Sequence, residues 1–448
     1  MRRFFCLILI ACAAAFSAGS ATADEFHYTN LPIGDRASGM GGAYTAVSDD
    51  ATGLYYNPAG IVYSEGRSIS ASVNAYYNTT KTYKSVIGGN GWERKSSSLL
   101  PNYFGVIQPV GRLKAGLSYA VPESIMSDQQ QTFSDLQLST SLQSLNPGVR
   151  ITTYIINFND EGNTYNFGPS IAAELTDGLS AGLTLYYFQR KNLRILNQLI
   201  KTSNGGSEWT NDYFHSEESG LRPILGFMFT PVTNVSVGLA LSKYMVMSSD
   251  TTFQHTSERR NIAVWVDAND NGVIDQGEIV TNESDLPDGQ KSIGAKRRYP
   301  AQVSLGVAWF PSASVLLTAD MNYYERVNQQ ITALDGQLIL LRERANAVTN
   351  FALGAEYYLT SNWAVRAGLY SDYANTPKID TGGSDQSEHI DIYGATASVS
   401  HFTRNTAVTL GGGVTSGRGQ SQIRGGTTPV QTAVSESWML FLSSSYSY

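Results

Sequence analysis

The chain has 448 residues and a net charge of −7, and only 15% of its residues are charged, well under the ~25% of an average soluble domain. An acidic, charge-poor chain is a poor match for nucleic acid, and none is expected as a partner. Both cysteines, Cys6 and Cys12, stand at the extreme N-terminus, which removes disulfide scaffolds, zinc clusters and thiol catalysis from the rest of the chain.

Arg2 and Arg3 precede an almost continuously apolar run over residues 4–16, and Ala21-Thr22-Ala23 supplies small residues at the −3 and −1 positions of a cleavage site. That order predicts a secretory signal peptide over residues 1–23 and a mature chain from Asp24. Loss of Arg2 and Arg3 would take the net charge from −7 to −9. A transmembrane anchor would need about 20 apolar residues. Leu9-Ile10-Ala11-Cys12 has the look of a lipobox, but the apolar run ahead of Cys12 is short.

Residues 24–66 do not alternate. They are dense in glycine (Gly34, Gly39, Gly41, Gly42, Gly60), a composition that lets backbone pack closely inside another structure. A segment of this length ahead of the first strand can fold into a lumen as a plug, or hatch.

Beyond residue 66 the period changes to two. Val303, Leu305, Val307 and Trp309 alternate with Gln302, Ser304, Gly306 and Ala308. Phe351, Leu353, Ala355, Tyr357 and Leu359 alternate with a set that includes Glu356, and Trp363, Val365, Ala367 and Leu369 with a set that includes Arg366. No apolar run after the leader is long enough for a spanning helix, so a membrane location requires a closed barrel, in which every backbone group is paired. Glu356 and Arg366 are costly at a lipid midplane and tolerable in a lumen, which assigns the two faces.

The expected fold is therefore all-β: a transmembrane antiparallel up-and-down β-barrel of about 14 strands with an N-terminal lumenal hatch. The strands are placed near 67–80, 99–110, 113–122, 164–176, 179–195, 216–230, 234–250, 297–310, 313–326, 347–360, 362–374, 389–402, 404–416 and 435–448. Short connections at Gly111-Arg112, Thr176-Asp177-Gly178, Pro231-Val232-Thr233, Pro311-Ser312, Ser361 and Thr403 alternate with long ones at 81–98, 123–163, 196–215, 251–296, 327–346, 375–388 and 417–434. Such alternation is the pattern of periplasmic turns and extracellular loops. In 123–163, Leu138, Leu142 and Leu145 suit one face of a short helix, and an ordinary loop packing on the barrel rim explains them equally well. Tyrosine pairs such as Tyr76-Tyr77, Tyr186-Tyr187, Tyr323-Tyr324 and Tyr357-Tyr358 fall near strand ends, where interfacial aromatic girdles sit.

Within the 251–296 loop, Asp267, Asn269, Asn271, Val273, Asp275 and Glu278 fit the calcium-loop pattern D-x-[DN]-x-[DN]-G-x5-E, with Gly272 at the sharp turn. Side-chain oxygens at positions 1, 3 and 5, the Val273 carbonyl, and carboxylates at 9 and 12 can surround Ca²⁺. The flanks read as strand, so a possible Ca²⁺ would stiffen an extracellular loop; a solvated acidic turn explains the same residues. No cofactor is required. The last strand places Trp438, Leu440, Leu442, Tyr446 and Tyr448 on one face and ends on an aromatic, a terminus that resembles the signal read by barrel-assembly machinery.

The string GDRASGMGGAYTAVSDDATGLYYNPAGI over residues 34–61 resembles the hatch of the FadL/TodX family of outer-membrane hydrophobic-compound transporters. Leu100-Pro101-Asn102-Tyr103, Tyr299-Pro300-Ala301-Gln302 and residues 365–370 add to the resemblance. What it implies is a hatch-plugged barrel in the outer membrane, taking up long-chain fatty acids or hydrocarbons as hydrophobic small-molecule ligands. Ligand would pass from extracellular loops to an apolar pocket and leave sideways at a kinked third strand, here residues 113–122, where Pro122 lacks a ladder donor. Asn57, Pro58 and Ala59 match the hatch motif, with Asn57 tying the plug to the wall; the motif can serve gating or folding alone. An enzyme is not expected, since no Gly-x-Ser-x-Gly occurs and His27, His215, His255, His389 and His401 are scattered. The rival reading is a structural or secretion-associated barrel that docks a protein partner.

Overall fold

The computed structural model describes residues 26–447 except for 30–31, 35, 65, 88, 139, 266–277, 286–290, 294–295, 332–340, 382, 384–385 and 423–429. The leader predicted over 1–23 lies outside the described residues, as does all of the calcium-type loop except Glu278.

Fourteen antiparallel strands close on themselves. They are β1 (Ser68–Ile87), β2 (Asn90–Val110), β3 (Leu113–Gln137), β4 (Arg150–Thr176), β5 (Leu179–Thr202), β6 (Ser207–Val232) and β7 (Val235–Lys243, continued past Tyr244 by Met245–Arg260). The second half is β8 (Ala301–Ser312), β9 (Val315–Tyr324), β10 (Val348–Thr360), β11 (Trp363–Asp372), β12 (His389–Phe402), β13 (Thr406–Ser421) and β14 (Gln431–Ser447). Closure is by β1 on β14, from Ser68 opposite Ser447 to Tyr83 opposite Ala433. Among the described residues no helix is long and apolar enough to cross a membrane.

The faces follow the alternation. Leu305, Trp309, Leu353, Leu359 and Leu369 are exposed around the outside, while Glu356 and Arg366 are buried on the inward face. Adjacent tyrosines cannot both point outward, because successive side chains in a strand alternate. Tyr187 and Tyr323 are exposed as girdle residues should be, whereas Tyr186 and Tyr324 are buried inside. The aromatic pairs thus divide between the interface and the lumen.

Three of the expected long loops are largely strand instead. In 123–163, residues 123–137 extend β3 and residues 150–163 belong to β4, paired from Glu123 opposite Thr164 to Gln137 opposite Arg150. Residues 81–98 are the paired outer halves of β1 and β2, with Tyr83 opposite Trp92. Residues 196–215 continue β5 and β6 to a turn near Gly205. β3 to β6 run 24 to 27 residues, where crossing a bilayer takes about 9–11. The surplus holds because its inward face has its own apolar core. Tyr83, Trp92, Phe133, Tyr154, Phe158 and Ile200 pack there with Leu138 and Leu142 of the segment bearing the short helix α1 (Thr140–Leu145). Of the two readings of the leucine spacing, the helix is present, but it carries Leu142 and Leu145 while Leu138 precedes it. Its end is pinned by Asn146, whose side chain donates to Ala263 O at 2.8 Å and accepts from Ala263 N at 2.9 Å.

Residues 26–64 run along the inward faces of the wall. Their short helical turns touch β3 to β6 on one side and β11 to β13 on the other. Tyr44, Leu54, Ala59 and Ile61 are fully buried by these contacts.

Candidate functional site

The wall accommodates residues 26–64 through glycine and through paired charge. Side chains added at Gly182, Gly226, Gly238 and Gly368 would overlap Pro58, Asn57, Thr45 and Gly41. Asn57 is completely buried; its Nδ2 donates to Thr45 O at 2.8 Å and to Phe227 O at 3.0 Å, and its Oδ1 accepts from Ala59 N at 3.1 Å. Pro58 opens the 3-10 turn Pro58–Tyr63, where a missing N–H costs nothing. Asp320 on β9 accepts from the backbone N–H groups of Tyr44 and Thr45 at 2.9 and 2.8 Å.

A charged knot completes the attachment. Arg36 donates to both oxygens of Glu356, at 2.9 and 2.7 Å, and to Asp49 at 2.6 Å. Arg366 donates to Glu356 and Ser400 from the opposite side. Burial alone would pull the Arg36 guanidinium down, but Asp49 and Glu356 outweigh it and raise it well above its ordinary value.

Above residues 26–64 lies a cavity of about 1000 Å³. Tyr55, Tyr56 and Tyr28 line it from the N-terminal segment, and Phe188, Tyr244 and Tyr299 from the wall and the β7–β8 connection. The cavity is not the purely apolar pocket that the resemblance implies. Arg222 on β6 projects into it with 5% exposure, its guanidinium carbon 4.8 Å from the Tyr55 ring centre and 4.7 Å from that of Tyr244. Among the described residues neither Nε nor Nη1 of Arg222 has a hydrogen-bond partner, and no carboxylate forms an ion pair with it. The two π faces stabilise the cation in part; an anion would complete the site.

The cavity reaches the wall where two strands part. β2 and β3 pair from Val110 opposite Leu113 up to Tyr103 opposite Ala120, and again only at Ser96 opposite Ser127. Residues 97–102 and 121–126 between these points make no ladder with each other. Pro101 and Pro122, one on each side, cannot donate to a ladder. The β3–β4 register slips between Ala120 and Glu123, and the β1–β2 register slips beside Asn102, as bulges do when they bend a strand. Pro122 and Glu123 both line the cavity. The break expected at the third strand is therefore present, and β3 continues beyond it to Gln137.

Of the residues singled out in the sequence, Asn57, Pro58 and Ala59 meet the wall at Gly226 and Gly182. Glu278 is buried beside a two-residue hairpin in which Val264–Trp265 pairs with Ile279–Val280, so strand flanks the calcium-type loop on both sides. Arg222, Glu123 and Arg190 were not singled out. Arg222 carried a signal: it is a lone charge in the otherwise uncharged stretch from Ser219 to Val232, at an inward register.

Residues 14–384 match the family model for outer membrane protein transport proteins of the OMPP1/FadL/TodX kind. The chain belongs to that family. It is accordingly an outer-membrane β-barrel of a family of transporters for hydrophobic compounds. Its fold is similar to a Pseudomonas aeruginosa FadL homologue, with 14% identity, TM-score 0.63, and 94% of this chain and 99% of that one covered. The toluene transporter TodX of P. putida gives 13% identity and TM-score 0.61 over 94% and 99% of the two chains. TbuX, the toluene transporter of Ralstonia pickettii, gives 15% and 0.57 over the same shares. No curated protein sequence matches the chain.

Proposed function

We propose that this family member carries long-chain alkyl carboxylates, the fatty-acid class, across the outer membrane by passive transfer. The observation that carries this reading is Arg222, a buried guanidinium without a carboxylate partner among the described residues, set between two tyrosine rings in the cavity. A carboxylate can take the open Nε and Nη1 donors while the aromatic faces bury its alkyl tail. A neutral monoaromatic, such as the toluene for which the transporters TodX and TbuX are named, would leave that charge unanswered. Residues 26–64 act as the hatch below the cavity, and the unpaired stretch of β2 and β3 offers a sideways route into the bilayer. The protein is a conduit and not an enzyme. A cavity of about 1000 Å³ inside the barrel with a buried cation favours a small ligand over a docked protein partner.

The test is displacement of a fluorescent long-chain fatty acid from the purified barrel in detergent. Palmitate is expected to compete and hexadecane and toluene to compete weakly, while Arg222→Leu weakens palmitate by about 30-fold or more, as loss of one partner of a buried charge pair does. Equal palmitate binding by wild type and Arg222→Leu would remove the carboxylate assignment.

A further inference from the structure

The cavity holds a second guanidinium, and it stands at the opening. Arg190 on β5 is buried, and its Nη2 lies 3.3 Å from Glu123 Oε1. Glu123 follows Pro122 at the bulge where β3 leaves β2, and its other oxygen accepts from Thr164 Oγ1 at 2.8 Å. Arg190 is steadied from the other side, its Nη1 donating at 3.1 Å to Tyr299 OH, which in turn donates to Glu218 at 2.5 Å.

The two cations are linked by aromatic faces. Arg222 stacks on Tyr244, and the Tyr244 and Tyr299 rings are 5.3 Å apart. Phe188 packs edge-on against both, at 4.9 and 6.2 Å. An alkyl chain can slide over these faces while its carboxylate moves from one guanidinium to the other. The two ends differ in one respect: among the described residues Arg222 has no carboxylate partner, whereas Arg190 has Glu123. At 3.3 Å that pair is longer than the 2.7–2.9 Å of a strong charge-assisted hydrogen bond, so an incoming carboxylate can compete for Arg190.

Resting on the carboxylate reading above, we propose that the Glu123–Arg190 pair is the exit gate for the ligand's headgroup. The carboxylate leaves Arg222, displaces Glu123 from Arg190, and is thereby brought to the unpaired stretch between β2 and β3. Glu123 and Arg190 are specificity-determining residues in this scheme, acting on acids and not on neutral chains of equal length.

The experiment compares palmitate with hexadecanol, its neutral counterpart, in wild type, Glu123→Gln, Arg190→Gln and Arg190→Lys. Equilibrium binding is measured in detergent and transfer from loaded barrel to phospholipid vesicles by stopped flow, with gel mobility of unboiled samples confirming a folded barrel. Glu123→Gln is expected to tighten palmitate by about tenfold, because Arg190 loses its competitor. Arg190→Gln is expected to slow palmitate transfer by about tenfold and Arg190→Lys to restore part of it. Hexadecanol should stay within about twofold throughout. Parallel shifts for both ligands, or none for palmitate, overturn the gate while leaving Arg222 as the binding residue. If wild type holds the two ligands equally well, the carboxylate reading falls and the gate falls with it.

Discussion

Asn57 occupies the space that a side chain on Gly226 would need, so one residue of the N-terminal segment holds one position of β6 to glycine. The contact supports a hatch that is seated and not merely enclosed. Gly226→Ala should displace the turn at Pro58 and lower stability by about 1–3 kcal/mol, the usual cost of overpacking. Asn57→Ala would strand the carbonyls of Thr45 and Phe227 and the N–H of Ala59, and about 2–4 kcal/mol is expected from those lost partners. Thermal unfolding measures both, and liposome swelling with small sugars measures the leak that should accompany them. An unchanged leak would reduce the motif to a folding element.

The Arg36–Glu356–Arg366 knot makes a graded prediction. Glu356 has no exposed side-chain surface, and it faces two guanidinium groups. Glu356→Gln should cost about 3 kcal/mol, because breaking a buried pair leaves uncompensated charge. Arg36→Gln should cost less, since Arg366 still answers Glu356. Urea unfolding of the two variants decides the order, and the reverse order would show that Arg36 is the principal tie.

Glu208 lies at the outer tip of β6, beyond the bilayer. Burial pushes its carboxyl up to about 7, with Arg259 pulling it down and Glu283 pushing it up. A carboxyl raised in the folded state binds more protons there than in the unfolded chain, so stability falls as pH rises between about 4.5 and about 7. Glu208→Gln should abolish that slope and leave the outer region more stable than wild type at pH 8. Hydrogen exchange of the β5–β6 tip at pH 5 and pH 8 reads it; equal protection at both pH values in wild type would contradict it.

Calcium binding by residues 267–278 is expected in the ~10⁻⁴ to 10⁻³ M range of extracellular modules. Terbium luminescence sensitised by Trp265 should rise on binding, be quenched by Ca²⁺ and disappear in Asp267→Asn with Glu278→Gln. No calcium-sensitive signal in wild type would leave an acidic turn.

The barrel was legible in the sequence, because a strand with lipid on one side and lumen on the other must alternate. Leu305 and Trp309 against Ser304 and Ala308, and Glu356 against Tyr357, state that alternation residue by residue. The glycines of residues 34–61 likewise announced backbone that packs closely. Alternation does not state where the membrane ends, since Tyr83, Trp92 and Phe158 keep the same period in an apolar core above it. Loops were therefore expected where β1–β2, β3–β4 and β5–β6 continue as strand.

The cavity chemistry was out of reach for a different reason. Arg222 lies 167 positions from Tyr55 in the chain and Arg190 lies 67 from Glu123, and neither pairing follows a local period. Which charge finds a partner and which is left open depends on barrel curvature, on strand register and on the depth at which residues 26–64 sit. The sequence alone settled the two faces of each strand and the family. Tertiary packing decided that one guanidinium stands between two tyrosines with no carboxylate partner among the described residues, and that another, paired with Glu123, lies beside the break between β2 and β3.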